Sequence, residues 1–112
     1  LQSNYKIETS EQIRIRVNKA RKIQKERYKE YKIFSNAELN SKLITKYCFL
    51  DKTCMQIMQS AFERLGLSAR AYNKILKVAR TIADLEESED IRSNHLLEAI
   101  QYRSLDRKYW GN

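Results

Sequence analysis

Proline is absent from this chain, and glycine occurs only at Gly66 and Gly111. Proline breaks a helix interior by removing an amide donor and clashing with the preceding turn; glycine costs about 1 kcal/mol per interior helical position. A chain almost free of both can form long helices. Its apolar residues recur at three and four rather than in alternation, which favours helix over strand. The expected fold is all-α, a small bundle of about five helices opened by a long basic one. At 112 residues the chain is the size of one domain, and a chain of that length buries roughly 65% of its unfolded surface.

Helix ends are legible from their chemistry. Thr9-Ser10-Glu11-Gln12 fits a capping box, with Thr9 as N-cap and Gln12 reaching back to it. The helix that follows is expected to reach about Lys32, with Ile13, Val17, Ala20, Tyr28 and Tyr31 as a thin apolar seam. Phe34 to Asn40 reads as a connector and Ser41 to Tyr47 as a short helix. Asp51 caps a helix over about 52–65 whose inward set is Cys54, Met55, Met58, Ala61, Phe62 and Leu65. Gly66 sits where a left-handed residue ends it. Ser68 caps the most apolar helix, to about Glu87, expected at the bundle centre. Ile91 should tuck inward from the polar turn after it. Ser93 is expected to cap a last helix to about Arg103, with Leu96, Leu97, Ala99 and Ile100 inward and a tail from Leu105.

The net charge of +8 is uneven: residues 1–35 hold ten Lys/Arg against four Asp/Glu, a net +6. Arg14, Arg16, Lys19, Arg21, Lys22 and Lys25 carry most of that excess and are candidate nucleic-acid contacts. A solvated helix face is the plain alternative. Tyr28 and Tyr31, interleaved with basic residues, suit base stacking or ordinary packing. No apolar run approaches the ~18 residues of a membrane span, and no secretory leader is legible, so a cytoplasmic protein with no membrane partner is expected. The first residue is Leu1 rather than Met, which reads as a piece of something longer.

Catalytic and metal chemistry find little footing. Cys48 and Cys54 fit no zinc spacing and read as buried reduced thiols; His95 is the lone imidazole and reads as structural. Glu86-Glu87 and Glu89-Asp90 read as solvated carboxylates, and Trp110 as a packing or tail residue. No phosphate loop of the G-x-x-x-x-G-K-[ST] type occurs. One position breaks a local rule. Arg70 lies in the first turn of the helix capped by Ser68, where the helix dipole disfavours a cation by about 0.3–1 kcal/mol. An arginine beside free backbone amides makes an anion site, and Lys74 and Lys77 continue its face as accessory phosphate contacts. A surface arginine without a role is the other reading.

Three segments carry a family resemblance: Gly66-Leu67-Ser68-Ala69-Arg70-Ala71-Tyr72, Ile75 through Leu85, and His95 through Arg103 with Leu105-Asp106-Arg107. Asn36-Ala37-Glu38-Leu39 and Tyr47-Cys48-Phe49-Leu50-Asp51 add to them. Together they resemble the C-terminal region of magnesium-chelatase-like AAA+ ATPases of the ComM/YifB type, from about Ser10 to Arg107. Asn73-Lys74 departs from a more usual His-Arg-like pair but keeps its second position basic.

The resemblance implies a helical lid that follows a P-loop core, with residues 1–9 a tail or linker, 10–40 a basic helix and connector from the core, 41–107 the lid and 108–112 a tail. It implies that Arg70 is the sensor-2 arginine, reaching the γ-phosphate of its own or a neighbouring subunit's ATP. ATP and Mg2+ then belong to the full-length parent, with no cofactor, metal or catalytic residue in this part. The implied partners are the upstream core, further copies in a hexameric ring, and DNA. Two rival readings stand beside this: a basic helical DNA-binding module, and an assembly domain without a ligand site.

Overall fold

In a computed structural model, the backbone is described for residues 8–110 and the side chains for residues 8–103. Five α-helices form: α1 (Ser10–Arg27), α2 (Ser41–Tyr47), α3 (Lys52–Leu65), α4 (Ala69–Leu85) and α5 (Ser93–Trp110). Two short 3-10 turns, Lys29–Tyr31 and Asn36–Glu38, lie between α1 and α2. No strand occurs among the described residues. The all-α bundle expected from the sequence is what the chain adopts.

The caps act as their residue types require. The Thr9 hydroxyl accepts from the Gln12 amide while the Gln12 side chain accepts from the Thr9 amide. Asn40, Asp51 and Ser68 each accept from the amide three residues on. Gly66 ends α3 with φ 61°, a conformation that strains any side-chain-bearing residue. α4 ends in the same hand without glycine: Glu87 takes φ 57°, and the amides of Glu87 and Ser88 donate to the carbonyls of Asp84 and Ala83.

α4 is the central helix, packing against α5, α1, α2 and the Asn36–Glu38 turn, while α3 packs on α5. Met58, Ile75, Ala79, Ala83 and Leu96 are buried at its heart. Each fully buried large apolar side chain contributes about 1.5–3 kcal/mol.

Several local expectations are corrected. α1 stops at Arg27 rather than near Lys32, because Tyr28 is fully buried and its hydroxyl donates to Asn36 Oδ1, turning the chain back across the bundle. Lys32 follows in the left-handed region. Ile13 is 44% exposed, so the apolar seam of α1 is covered only from about Val17 onward. Met55, Phe62 and Leu97 are turned outward at 60%, 40% and 54% exposure; α3 packs mainly on α5, and α5 on α3 and α4, so a periodic stripe wider than those footprints stays wet. Ser93 is the first residue of α5 rather than its cap. The amide of Arg92 donates instead to His95 Nδ1 at 2.9 Å. The backbone of α5 continues to Trp110, where a tail was expected from Leu105. The expectations for residues 1–7 and 111–112, and for the side chains of Leu105, Asp106, Arg107 and Trp110, lie outside the described residues.

Candidate functional site

The start of α4 is built by two adjacent stop and start signals. Gly66 turns the chain, Leu67 anchors it in the core at 6% exposure, and Ser68 opens the next helix. Ser68 Oγ accepts from the Ala71 amide at 3.1 Å, and the Ser68 carbonyl accepts from Tyr72. The amides of Ala69 and Arg70 are left without a partner among the described residues. The first turn holds no acidic side chain. Arg70 is exposed and makes no hydrogen bond or ion pair with any described residue.

Arg70 lines one end of a groove of about 870 Å³ that runs along α4. Lys74, Lys77, Val78 and Ile82 continue that wall at helical spacing, and Leu39, Ile44 and Tyr102 face them. Lys74 is exposed and unpaired among the described residues. Lys77 is held: its Nζ donates to the Ala37 carbonyl at 3.2 Å. The three expected cations therefore share one groove, with two of them free.

The six candidate nucleic-acid contacts on α1 divide differently. Arg16 makes a two-pronged ion pair with Glu8, at 2.8 and 2.6 Å. Lys19 lies 3.7 Å from Glu87, in the turn after α4. Arg14, Arg21, Lys22 and Lys25 are exposed and have no ion pair among the described residues. Tyr28 is fully buried and presents no stacking face, while half-buried Tyr31 packs at right angles to Tyr47 with Lys46 Nζ 5.6 Å from its ring centre. Both act as packing residues.

A buried polar cluster that the sequence reading did not single out joins α1 to the far end of α4. Arg27 donates to both oxygens of Asp84, at 3.0 and 2.7 Å. Arg80, 5% exposed, pairs with Asp84 at 3.2 Å and donates to the carbonyls of Ser88 and Glu89. Asn36 donates to Asp84 and Thr81 and accepts from Tyr28, while its amide donates to Gln24. Burial opposes the charge on Arg27, but hydrogen bonds to Asp84 and Tyr28 hold its proton more firmly than usual. Leu76, Arg80 and Asp84 form one i, i+4 ridge beside the buried Ala79 and Ala83. Two charges on an otherwise covered ridge are the sequence signal that marks such a cluster.

The remaining polar candidates are structural. His95 is 1% exposed, with Nε2 2.8 Å from Glu86 Oε1. Cys48 and Cys54 are buried free thiols. Burial pushes the Cys48 thiol up to about 11, against the pull of Arg80 and Arg27 toward thiolate. Among the described residues no three His, Cys, Asp or Glu side chains converge to hold a metal. No helix there is long and apolar enough to cross a membrane.

A five-helix bundle with a capped basic start to its central helix is the form in which the family comparison applies. The family model described as magnesium chelatase, subunit ChlI C-terminal, matches residues 7–103, and the chain belongs to that family. Within it, the chain is similar to competence protein ComM of Haemophilus influenzae strain Rd, 47% identical over 100 residues, or 89% of this chain. Two proteins carrying the name YifB, from Salmonella typhimurium and Escherichia coli K12, are 41% and 40% identical over the same length. The chain spans 19% of the length of each of these relatives. It is thus a ComM/YifB-type C-terminal helical domain.

Proposed function

We propose that this domain is the lid of an AAA+ ATPase and that Arg70 is its nucleotide sensor. The observation that carries the reading is an exposed guanidinium, unpaired among the described residues, beside two unpartnered amides at a helix start on an open groove. A phosphate oxygen is the ligand such a set fits: the amides and the helix dipole favour negative charge, and the guanidinium donates charge-assisted hydrogen bonds. Lys74 adds positive charge one turn on. Arg70 would stabilise charge on the γ-phosphate and report its loss by releasing the lid.

The P-loop, the magnesium-holding carboxylates and the hydrolytic chemistry then come from a core outside this chain, and the domain alone hydrolyses no ATP. Assembly into a ring and a DNA-processing, cytoplasmic setting rest on the family resemblance and on a relative named as a competence protein.

In the full-length parent, Arg70→Ala is expected to lower ATP turnover by about a hundredfold or more, the effect of losing one donor to a developing charge. The same substitution should not lower the thermal unfolding temperature of this domain, since it removes a cation the helix dipole disfavours. Unchanged turnover rejects the sensor role.

A further inference from the structure

The basic residues of α1 are sorted by the fold into neutralised and free, and the free ones share a face. At 100° per residue, Arg14, Arg21, Lys25 and Lys22 fall within an arc of about 100°, spread over about 16 Å of helix. Asn18 lies inside the same arc. Arg16, Lys19 and Arg27, the engaged cations, lie outside it, toward Glu8, Glu87 and Asp84. The buried positions Ala20 and Gln24 point to the other side of the helix. Glu11 is the one carboxylate within the arc, about one turn before Arg14 at the N-terminal end of the stripe. Glu26 is occupied by Lys29 at 2.6 Å.

We propose that this stripe is a binding track for the phosphodiester backbone of a nucleic acid. Four unpaired cations in a row, with an amide side chain among them and no apolar residue within the arc, match a line of phosphates. They do not match a lipid surface: the exposed Ile13 and Ile15 point to opposite sides of the stripe and form no common apolar face. The track is held rigidly, because the Arg27–Asp84 pair and the Gln24–Asn36 bond fasten the end of α1 to the bundle. No base-reading group accompanies it, so binding is independent of sequence. This inference rests on the DNA-processing part of the proposed function and is separate from the role of Arg70.

The test is a fluorescence-anisotropy titration of this chain with labelled single-stranded and duplex DNA across a salt series. Four phosphate contacts predict a slope of log affinity against log salt of about −3.6 on duplex, a loss of about 150-fold between about 50 and 200 mM salt. Arg21→Gln/Lys25→Gln should reduce that slope to about −1.8. Arg16→Gln/Lys19→Gln removes the same charge from engaged side chains and should leave the slope close to wild type. Circular dichroism melts establish that both pairs fold. Equal losses in the two double variants, binding to neither DNA at low salt, or tighter binding to anionic vesicles than to DNA would each overturn the track. None of those outcomes touches the Arg70 reading, which is measured by ATP turnover in the parent.

Discussion

Arg70 and Arg80 stand ten residues apart on α4, about 15 Å along its axis, yet the fold treats them oppositely. Arg70 is exposed and unpaired among the described residues. Arg80 is 5% exposed and spends its guanidinium on Asp84 and two carbonyls. Neither position suits a cation by local rules: one sits on the positive end of the helix dipole, the other on a buried ridge. The second is made tolerable by partners inside the domain. The first has no such compensation, and an uncompensated cost is the pattern expected where the partner is a ligand from elsewhere.

The comparison breaks most visibly at Asp84. Asp84→Ala leaves the guanidiniums of Arg27 and Arg80 without their common counter-charge, and should cost about 3–5 kcal/mol. At about 4–8 °C per kcal/mol for a domain near this size, thermal unfolding should move down by more than about 12 °C. A shift of only a few degrees would mean that the cluster is decoration on a core that stands without it.

The buried end can be sharpened through Cys48, which lies under the influence of Arg80 and Arg27 but is dominated by burial. Its thiol is lifted from an ordinary value near 9 to about 11. The folded state thus holds the proton more tightly than the unfolded state. The stability this contributes is complete below about 9 and is lost as pH rises through about 11. Urea midpoints between those limits should therefore fall further for the wild type than for Cys48→Ala. At neutral pH, Cys48 should alkylate far more slowly in the folded chain than in urea.

The exposed end offers the smallest effect and the opposite sign. Arg70→Glu replaces a disfavoured charge with a favoured one in the first turn of α4, and should raise stability by about 0.6–2 kcal/mol, read from urea unfolding. A loss of more than about 0.5 kcal/mol would show that Arg70 serves the fold after all.

Much of this architecture was legible before any coordinates. Thr9, Asp51 and Ser68 announced helix starts because a short polar side chain satisfies an amide locally, and Gly66 announced a stop because few other residues accept its φ. The candidate site was legible for the same reason: Arg70 violates a rule that operates within one turn. The Arg27–Asp84–Asn36 cluster was not, since its members are up to 57 residues apart and each alone passes for a surface polar group. His95 hid differently: its ring accepts from the Arg92 amide three residues back, as a capping carboxylate would, and the turn between α4 and α5 brings Glu86 to its other nitrogen.

By itself, then, the sequence determined the helices, their capped ends and the central place of α4, because hydrogen bonding and apolar periodicity are properties of neighbouring residues. Only the tertiary structure decided which side of each stripe stays covered, leaving Met55, Phe62 and Leu97 in water. It also divided the basic residues of α1 into paired and free, since that depends on which carboxylates other segments bring within reach. Charge is written in the sequence, but whether a charge is already satisfied is a fact about distance.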